Sequence, residues 1–215
     1  MAGSASAEGG HPTGVGHPTG VDAETDPYAR WGDTLVMSHS LTGAKPSLPI
    51  AGSSASSVTA WPLSAQQLTR HSRELGRLHS QAYPPGHPDH RDLDPSAAAD
   101  ELQAIARGEI LGPLLPQSRV AIAAGAIAGA CLLVDRPGEA PGGGPWVLDI
   151  FRDPNSALTG IGRALLIAVL TAARSDRLPT ISLAVSHSNT RARRLYDDLG
   201  FTVAEEGRTL SVQQT

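Results

Sequence analysis

Residues 146–201 constrain the fold most. An apolar run (146–151) is followed by a helix led by Gly160-Ile161-Gly162, a second apolar run (180–186) and a short amphipathic helix (189–199). The two runs have the length and composition of buried strands. In the last helix Ala192, Leu195, Tyr196 and Leu199 recur at i, i+3, i+4 and i+7, so they share one face. That face must meet a sheet, and it carries the Tyr196 hydroxyl inward. Asn189 suits the N-cap of this helix and Gly200 its C-cap.

Upstream, residues 58–63 read as a short strand. Ser64 and Gln67 form a capping box ahead of a helix carrying Leu68, Leu75, Leu78 and Tyr83, which Pro84-Pro85-Gly86 ends. Asp94 as N-cap and Pro95 in the first turn begin a second helix, through Leu102 and Ile105 to Gly108. Residues 119–124 and 126–134 form a hairpin joined at Gly125, and 201–212 a closing strand pair turning near Gly207. The order β-α-α-β-β-β-α-β-α-β-β predicts an α/β (α+β) fold, a mixed central sheet flanked by helices on both faces.

Residues 1–55 are rich in Gly, Ser, Ala, Pro and Thr, with few large apolar side chains. Such a segment buries too little surface to offset its ordering entropy, so a disordered tail (1–55) is expected before a folded domain at 56–215. The tail repeats His11-Pro-Thr-Gly-Val15 as His17-Pro-Thr-Gly-Val21, too short for a solenoid. Met37 is the one methionine besides Met1, and a translation start there would barely touch the expected domain.

Composition narrows the function. The net charge of −4 lacks the basic excess that grips nucleic acid. A lone Cys131 in an apolar run forms no internal disulfide and fits a reducing cytoplasm. No basic, apolar leader opens the chain. The uncharged stretch 120–134 is shorter than the ~20 residues that span a bilayer. A cytoplasmic protein, free of membrane and nucleic acid, is expected.

The chemistry gathers at two places. Thr159-Gly160-Ile161-Gly162 entering Arg163 offers unsatisfied helix N–H groups and a backbone that a phosphate can approach closely. A plain strand-to-helix turn explains the same residues. It is neither a dinucleotide fingerprint nor a P-loop, because the third glycine and the Gly-Lys-Ser/Thr ending are absent. For Tyr196 the plainer reading is a core tyrosine with a satisfied hydroxyl. Asp149 on the strand is the first candidate to take a proton from an incoming ammonium, and a strand-edge carboxylate in an ion pair is the alternative. His87, Asp89 and His90, in the loop joining the first two helices, either recognise or deprotonate an acceptor or belong to an ordinary polar loop. Pro88 disrupts the helical pairing a metal site would prefer, so no metal is expected.

Taken together, the glycine-led helix, the strand and Asn189-x-x-Ala192-x-x-Leu195-Tyr196-x-x-Leu199-Gly200-Phe201 resemble the GNAT superfamily of acyl-CoA-dependent N-acetyltransferases over residues 57–212. The resemblance implies acetyl-CoA as co-substrate. The N–H groups at Thr159, Gly160, Ile161 and Gly162 would hold its pyrophosphate, and Arg163 is a further cofactor-binding candidate. Ile150, Phe151 and Arg152 would pair with the pantetheine arm through their backbones, Asn189 would contact the cofactor, and Tyr196 would be the general acid for the departing thiolate. The expected reaction is direct acetyl transfer to a primary amine of a small molecule, with a homodimer left open. This chain departs from the family's pattern at Ala157 and Leu158 in the cradle, at Arg152, and at Trp146, where a glutamate base is common. Those departures motivate a rival reading, a non-catalytic acyl-CoA sensor or interaction module.

Overall fold

In the computed structural model, residues 34–42 and 58–206 are described. Their elements are β1 (Thr34–Ser40), β2 (Val58–Pro62), α1 (Ala65–Ala82), α2 (Pro95–Ala106), β3 (Arg119–Ala123), β4 (Ala126–Arg136), β5 (Gly144–Arg152), α3 (Ile161–Ser175), β6 (Thr180–Ser186), α4 (Thr190–Asp198) and β7 (Thr202–Glu206). They build a 7-stranded sheet in the order β2-β3-β4-β5-β6-β1-β7. All neighbours are antiparallel except β5 and β6.

Local chemistry sets the boundaries. The Ser64 hydroxyl accepts from the Gln67 amide while the Gln67 side chain accepts from the Ser64 amide, closing the capping box. Asp94 Oδ1 accepts from the amides of Ser96 and Ala97. Ala124 and Gly125 join β3 to β4 with φ of 49° and 80°, the left-handed pair a two-residue hairpin turn needs.

Two cores form, one on each face. Leu68, Leu75 and Leu78 of α1 and Leu102 and Ile105 of α2 pack with Leu132, Val134 and Trp146. On the other face Leu165, Leu166 and Val169 of α3 and Tyr196 of α4 pack with Cys131, Leu133, Leu183 and Val185. Burial on this scale, at roughly 25 cal/mol per Å² of apolar surface, is what holds the helices to the sheet.

One expectation is corrected. Thr34–Ser40 belongs to the sheet, between β6 and β7, although it falls inside the stretch 1–55 expected to be disordered. Leu35, Met37 and His39 alternate as the buried positions of this strand. Leu35 and Met37 enter the core under α3 and α4, which compensates for ordering the chain. A start at Met37 would therefore remove the first three residues of β1 rather than spare the domain. The repeat at 11–21, the rest of the tail and the return strand beyond residue 206 lie outside the described residues. Among the described residues no helix is long and apolar enough to cross a membrane.

Candidate active site

The parallel pairing of β5 with β6 covers only Trp146↔Ser182 and Val147↔Leu183. Beyond these the strands part. On its other edge β5 pairs with β4, but the register slips between Leu132 and Leu133, so that Leu148 is an extra residue on β5. Such a bulge bends its strand and increases its twist. The opening between β5 and β6 is a narrow gap lined among others by His79, Tyr83, Asp89, Asp149, Ile150 and Tyr196.

Backbone direction along β5 follows from its pairing. The Asp153 amide donates to the Ala128 carbonyl at 2.8 Å, so alternation turns the amides and carbonyls of Ile150 and Arg152 away from β4, toward the gap. The Ile150 carbonyl lies 2.9 Å from the Tyr83 hydroxyl, whose one proton is shared between this carbonyl and Asp149 Oδ1. Phe151 is a correction: its backbone faces β4, while its side chain is buried under α1 and meets the His79 ring edge-on at 5.2 Å. The Arg152 guanidinium donates to the Asp153 carbonyl.

Asp149 stands at the gap with its side chain 12% exposed and both oxygens engaged. Oδ2 lies 2.8 Å from His79 Nε2, and Oδ1 accepts from the Tyr83 hydroxyl at 2.8 Å. Burial pushes the Asp149 carboxyl up, but the charge and hydrogen bond of His79, with Arg91 and Tyr83, outweigh it and hold the group below the ordinary carboxylate value. Burial pushes His79 down, and the Asp149 charge and hydrogen bond reverse that, leaving its pKa raised. His79 Nδ1 is buried with no partner among the described residues. Neutral His79 therefore keeps its proton on Nε2 and donates it to Asp149.

The sequence reading did not find His79 or Tyr83 as site residues. The signal was present: His79 falls four residues after Leu75 on the buried stripe of α1, and Tyr83 four residues later. A polar group on an apolar face requires a partner, and here the partner is 70 residues away.

Tyr196 is buried at 5% exposure, lines the gap, and packs its ring 5.7 Å from Phe201. Burial first, then the electrostatic influence of Cys131, Asp89 and Asp149, pushes its hydroxyl above the ordinary tyrosine value, so it stays protonated. Asn189 caps α4, accepting from the Ala192 amide at 3.0 Å, and its side-chain amide donates to Asp89 Oδ2.

At the α3 end, Gly160 is the N-cap with φ 79°, and no side chain caps the helix. The amides of Ile161, Gly162 and Arg163 thus have no acceptor within the helix. A Cβ at Gly160 would meet nothing within 4 Å, so the approach is open. Thr159 and Gly160 are exposed, and Arg163 donates to Asp198 of α4 at 3.2 Å, an exposed pair. An anion brought to this end meets backbone donors and the positive end of a helix dipole. The cradle residues therefore fit a diphosphate.

The acceptor-loop residues separate. Asp89 reaches the gap, His87 Nδ1 accepts from the Asp89 amide at 3.1 Å, and His90 Nδ1 lies 2.7 Å from the Tyr83 carbonyl. Among the described residues no three His, Cys, Asp or Glu are grouped to hold a metal.

Several known proteins resemble this chain. A mycothiol acetyltransferase of Thermobispora bispora is 50% identical over 50 residues, 23% of this chain and 17% of that protein. Another, of Acidothermus cellulolyticus, is 44% identical over 64 residues, 30% of this chain and 19% of that protein. The matches thus span less than a fifth of the length of these curated relatives. Among solved structures, a GCN5-related N-acetyltransferase from Sphaerobacter thermophilus aligns with a TM-score of 0.54 at 22% identity, over 82% of this chain and 52% of that one. The aminoglycoside N-acetyltransferase AAC(6')-Iy, solved with CoA, aligns with a TM-score of 0.50 at 21% identity, over 75% and 97%. At these identities the two likenesses speak for the fold. The model of the acetyltransferase (GNAT) family matches residues 73–201, more than half of the chain, and this protein belongs to that family.

Proposed function

We propose that the chain transfers an acetyl group from acetyl-CoA to a primary amine of a small molecule, directly and within a ternary complex. The observation that carries this reading is the gap itself, with an ionised carboxylate (Asp149) and a protonated phenol (Tyr196) on its walls and an uncapped helix end nearby. The names of the relatives support acetyl transfer, and the neighbour solved with CoA supports the co-substrate.

Acetyl-CoA supplies an activated thioester. The amides of Thr159 to Arg163 bind its diphosphate, and the gap-facing backbone of Ile150 and Arg152, with Asn189, aligns the pantetheine arm. The Ile150 amide receives the negative charge that develops on the thioester oxygen, an effect worth about 10²–10³ in rate per donor. Asp149 anchors the acceptor as its ammonium and takes its proton, directly or through one water. Tyr83 and His79 hold the carboxylate in place with two donated hydrogen bonds. When His79 is neutral the pair carries a net negative charge, which is the form that attracts a cation and accepts a proton.

Tyr196 gives its proton to the departing sulfur. In the absence of acceptor, the charges of Asp89 and Asp149 help keep the phenol protonated. A positive charge arriving at Asp149 offsets one of them and makes the phenol a better donor when both substrates are bound.

The test offers the protein acetyl-CoA with a panel of small amines and follows free thiol, alongside melting with and without acetyl-CoA. Amine-dependent thiol release is expected. Stabilisation by acetyl-CoA without release for any amine would contradict the enzyme reading and favour an acyl-CoA-binding module.

A further inference from the structure

Asp89 does something that neither the gap chemistry nor the cofactor cradle uses. It lies in the connection between α1 and α2, yet its carboxylate reaches across to the far layer of the molecule. Oδ1 accepts from the Ser186 amide at the end of β6 (3.1 Å), and Oδ2 accepts from the side-chain amide of Asn189, the N-cap of α4. Behind it the same connection is fastened to the first layer. His90 contacts the Tyr83 carbonyl, the Ser80 hydroxyl donates to the Leu93 carbonyl at 2.9 Å, and Arg91 pairs with Glu101 of α2.

The consequence is geometric. α4 is a 9-residue helix whose direction depends on how its ends are held, and it carries Tyr196. α1 ends in Tyr83 and carries His79, the two groups that fix Asp149. β5 and β6 pair at only two positions, so the sheet itself does little to set the width of the gap at its open end. We propose that Asp89 is a positioning residue that sets Tyr196 against Asp149, by tying the α1–α2 connection to the start of α4 across the mouth of the gap. Its bearing on catalysis rests on the acetyl-transfer reading; the tie itself does not.

The hydrogen-bond pattern prescribes a reciprocal test. In Asp89→Asn the new amide nitrogen faces the Asn189 amide nitrogen, donor against donor. Turning Asn189 over would relieve this only by taking its oxygen from the Ala192 amide. In Asn189→Asp two carboxylates face each other. In the double variant Asp89→Asn/Asn189→Asp the pattern is whole again, because an aspartate is a good N-cap and accepts from both the Ala192 amide and the residue at 89. Asp92→Asn, at an exposed position of the same connection, controls for the loss of charge.

Two readouts are taken, kcat for thiol release and hydrogen exchange at the Ala192 amide. Each single variant is expected to lower kcat about 10-fold and speed exchange about 10-fold, and the double variant to return both to within about threefold of wild type. Asp92→Asn is expected to change neither. A double variant no better than the worse single, a single variant with wild-type kcat and exchange, or a fall in kcat with exchange unchanged would each overturn the proposal. If wild-type protein releases no thiol with any amine, the acetyl-transfer reading fails, while the exchange cycle still decides the tie.

Discussion

Replacing His79 by leucine tests the buried pair from which the acceptor chemistry is argued. His79 and Asp149 have side chains 6% and 12% exposed and stand 2.8 Å apart. Removing one partner of such a pair strands the other charge away from water, which costs about 3–5 kcal/mol. At about 2–4 °C per kcal/mol for a chain of this size, the melting temperature should fall by about 6–20 °C. The pH dependence fixes the sign. His79, raised above its ordinary 6.5, contributes stability that is full below 6.5 and is lost as pH rises through its folded value. Asp149, lowered below its ordinary 3.8, contributes stability that is present above 3.8 and is lost as pH falls through its folded value. The loss should therefore be greatest between these limits and smaller at alkaline pH, where neutral His79 donates a hydrogen bond without a charge.

Differential scanning of wild type and His79→Leu at about pH 5.5 and pH 8.5 reads the effect. His79→Leu/Asp149→Leu should regain much of the lost stability, since an apolar pair needs no counter-charge, but should lose the activity that depends on the Asp149 carboxylate. The wild-type kcat/KM for an amine should rise with pH through an inflection above 6.5, and His79→Leu should lose that inflection. A destabilisation equal or larger at the alkaline pH, or a pH profile unchanged by the substitution, would show that His79 and Asp149 do not titrate as a charged pair.

Two further predictions bear on separate parts of the molecule. Gly162→Asp should leave the melting temperature unchanged or slightly raised, because a Cβ there meets Leu195 at an ordinary 3.8 Å and an acid suits the first turn of a helix. The same charge beside a bound diphosphate should weaken acetyl-CoA about 10- to 100-fold, measured by calorimetry. Met37→Ala should cost about 2–5 kcal/mol in urea unfolding, because Met37 is 1% exposed in the core of β1; a neutral result would argue against β1 as part of the sheet.

What the sequence revealed follows the range of the interactions involved. The caps at Ser64, Asp94 and Asn189 are made within three residues of the capping side chain, so spacing alone exposes them. The glycine-led start of α3 and the inward face of α4 are equally local, and both stand where the spacing predicts. β1 was hidden by its surroundings. Residues 34–39 alternate half-buried and buried, but a composition judged across the first 55 residues averages that alternation away. The chemistry of Asp149 was half legible. A carboxylate on a buried strand demands partners, but which residues supply them depends on α1 crossing β5, a contact 66 to 70 residues apart in the chain. Asp89 is more remote still, meeting its partners 97 and 100 residues away. The side of β5 on which the Phe151 backbone falls depends on the pairing register, which residue type does not encode.

Tyr196→Phe isolates the proposed general acid. The ring keeps its packing against Phe201 and only the hydroxyl at the gap is removed, so fold and cofactor binding should be preserved. The kcat for thiol release is expected to fall by about 10²-fold, with the stabilisation by acetyl-CoA unchanged. A kcat equal to that of wild type would show that the departing sulfur takes its proton from somewhere else.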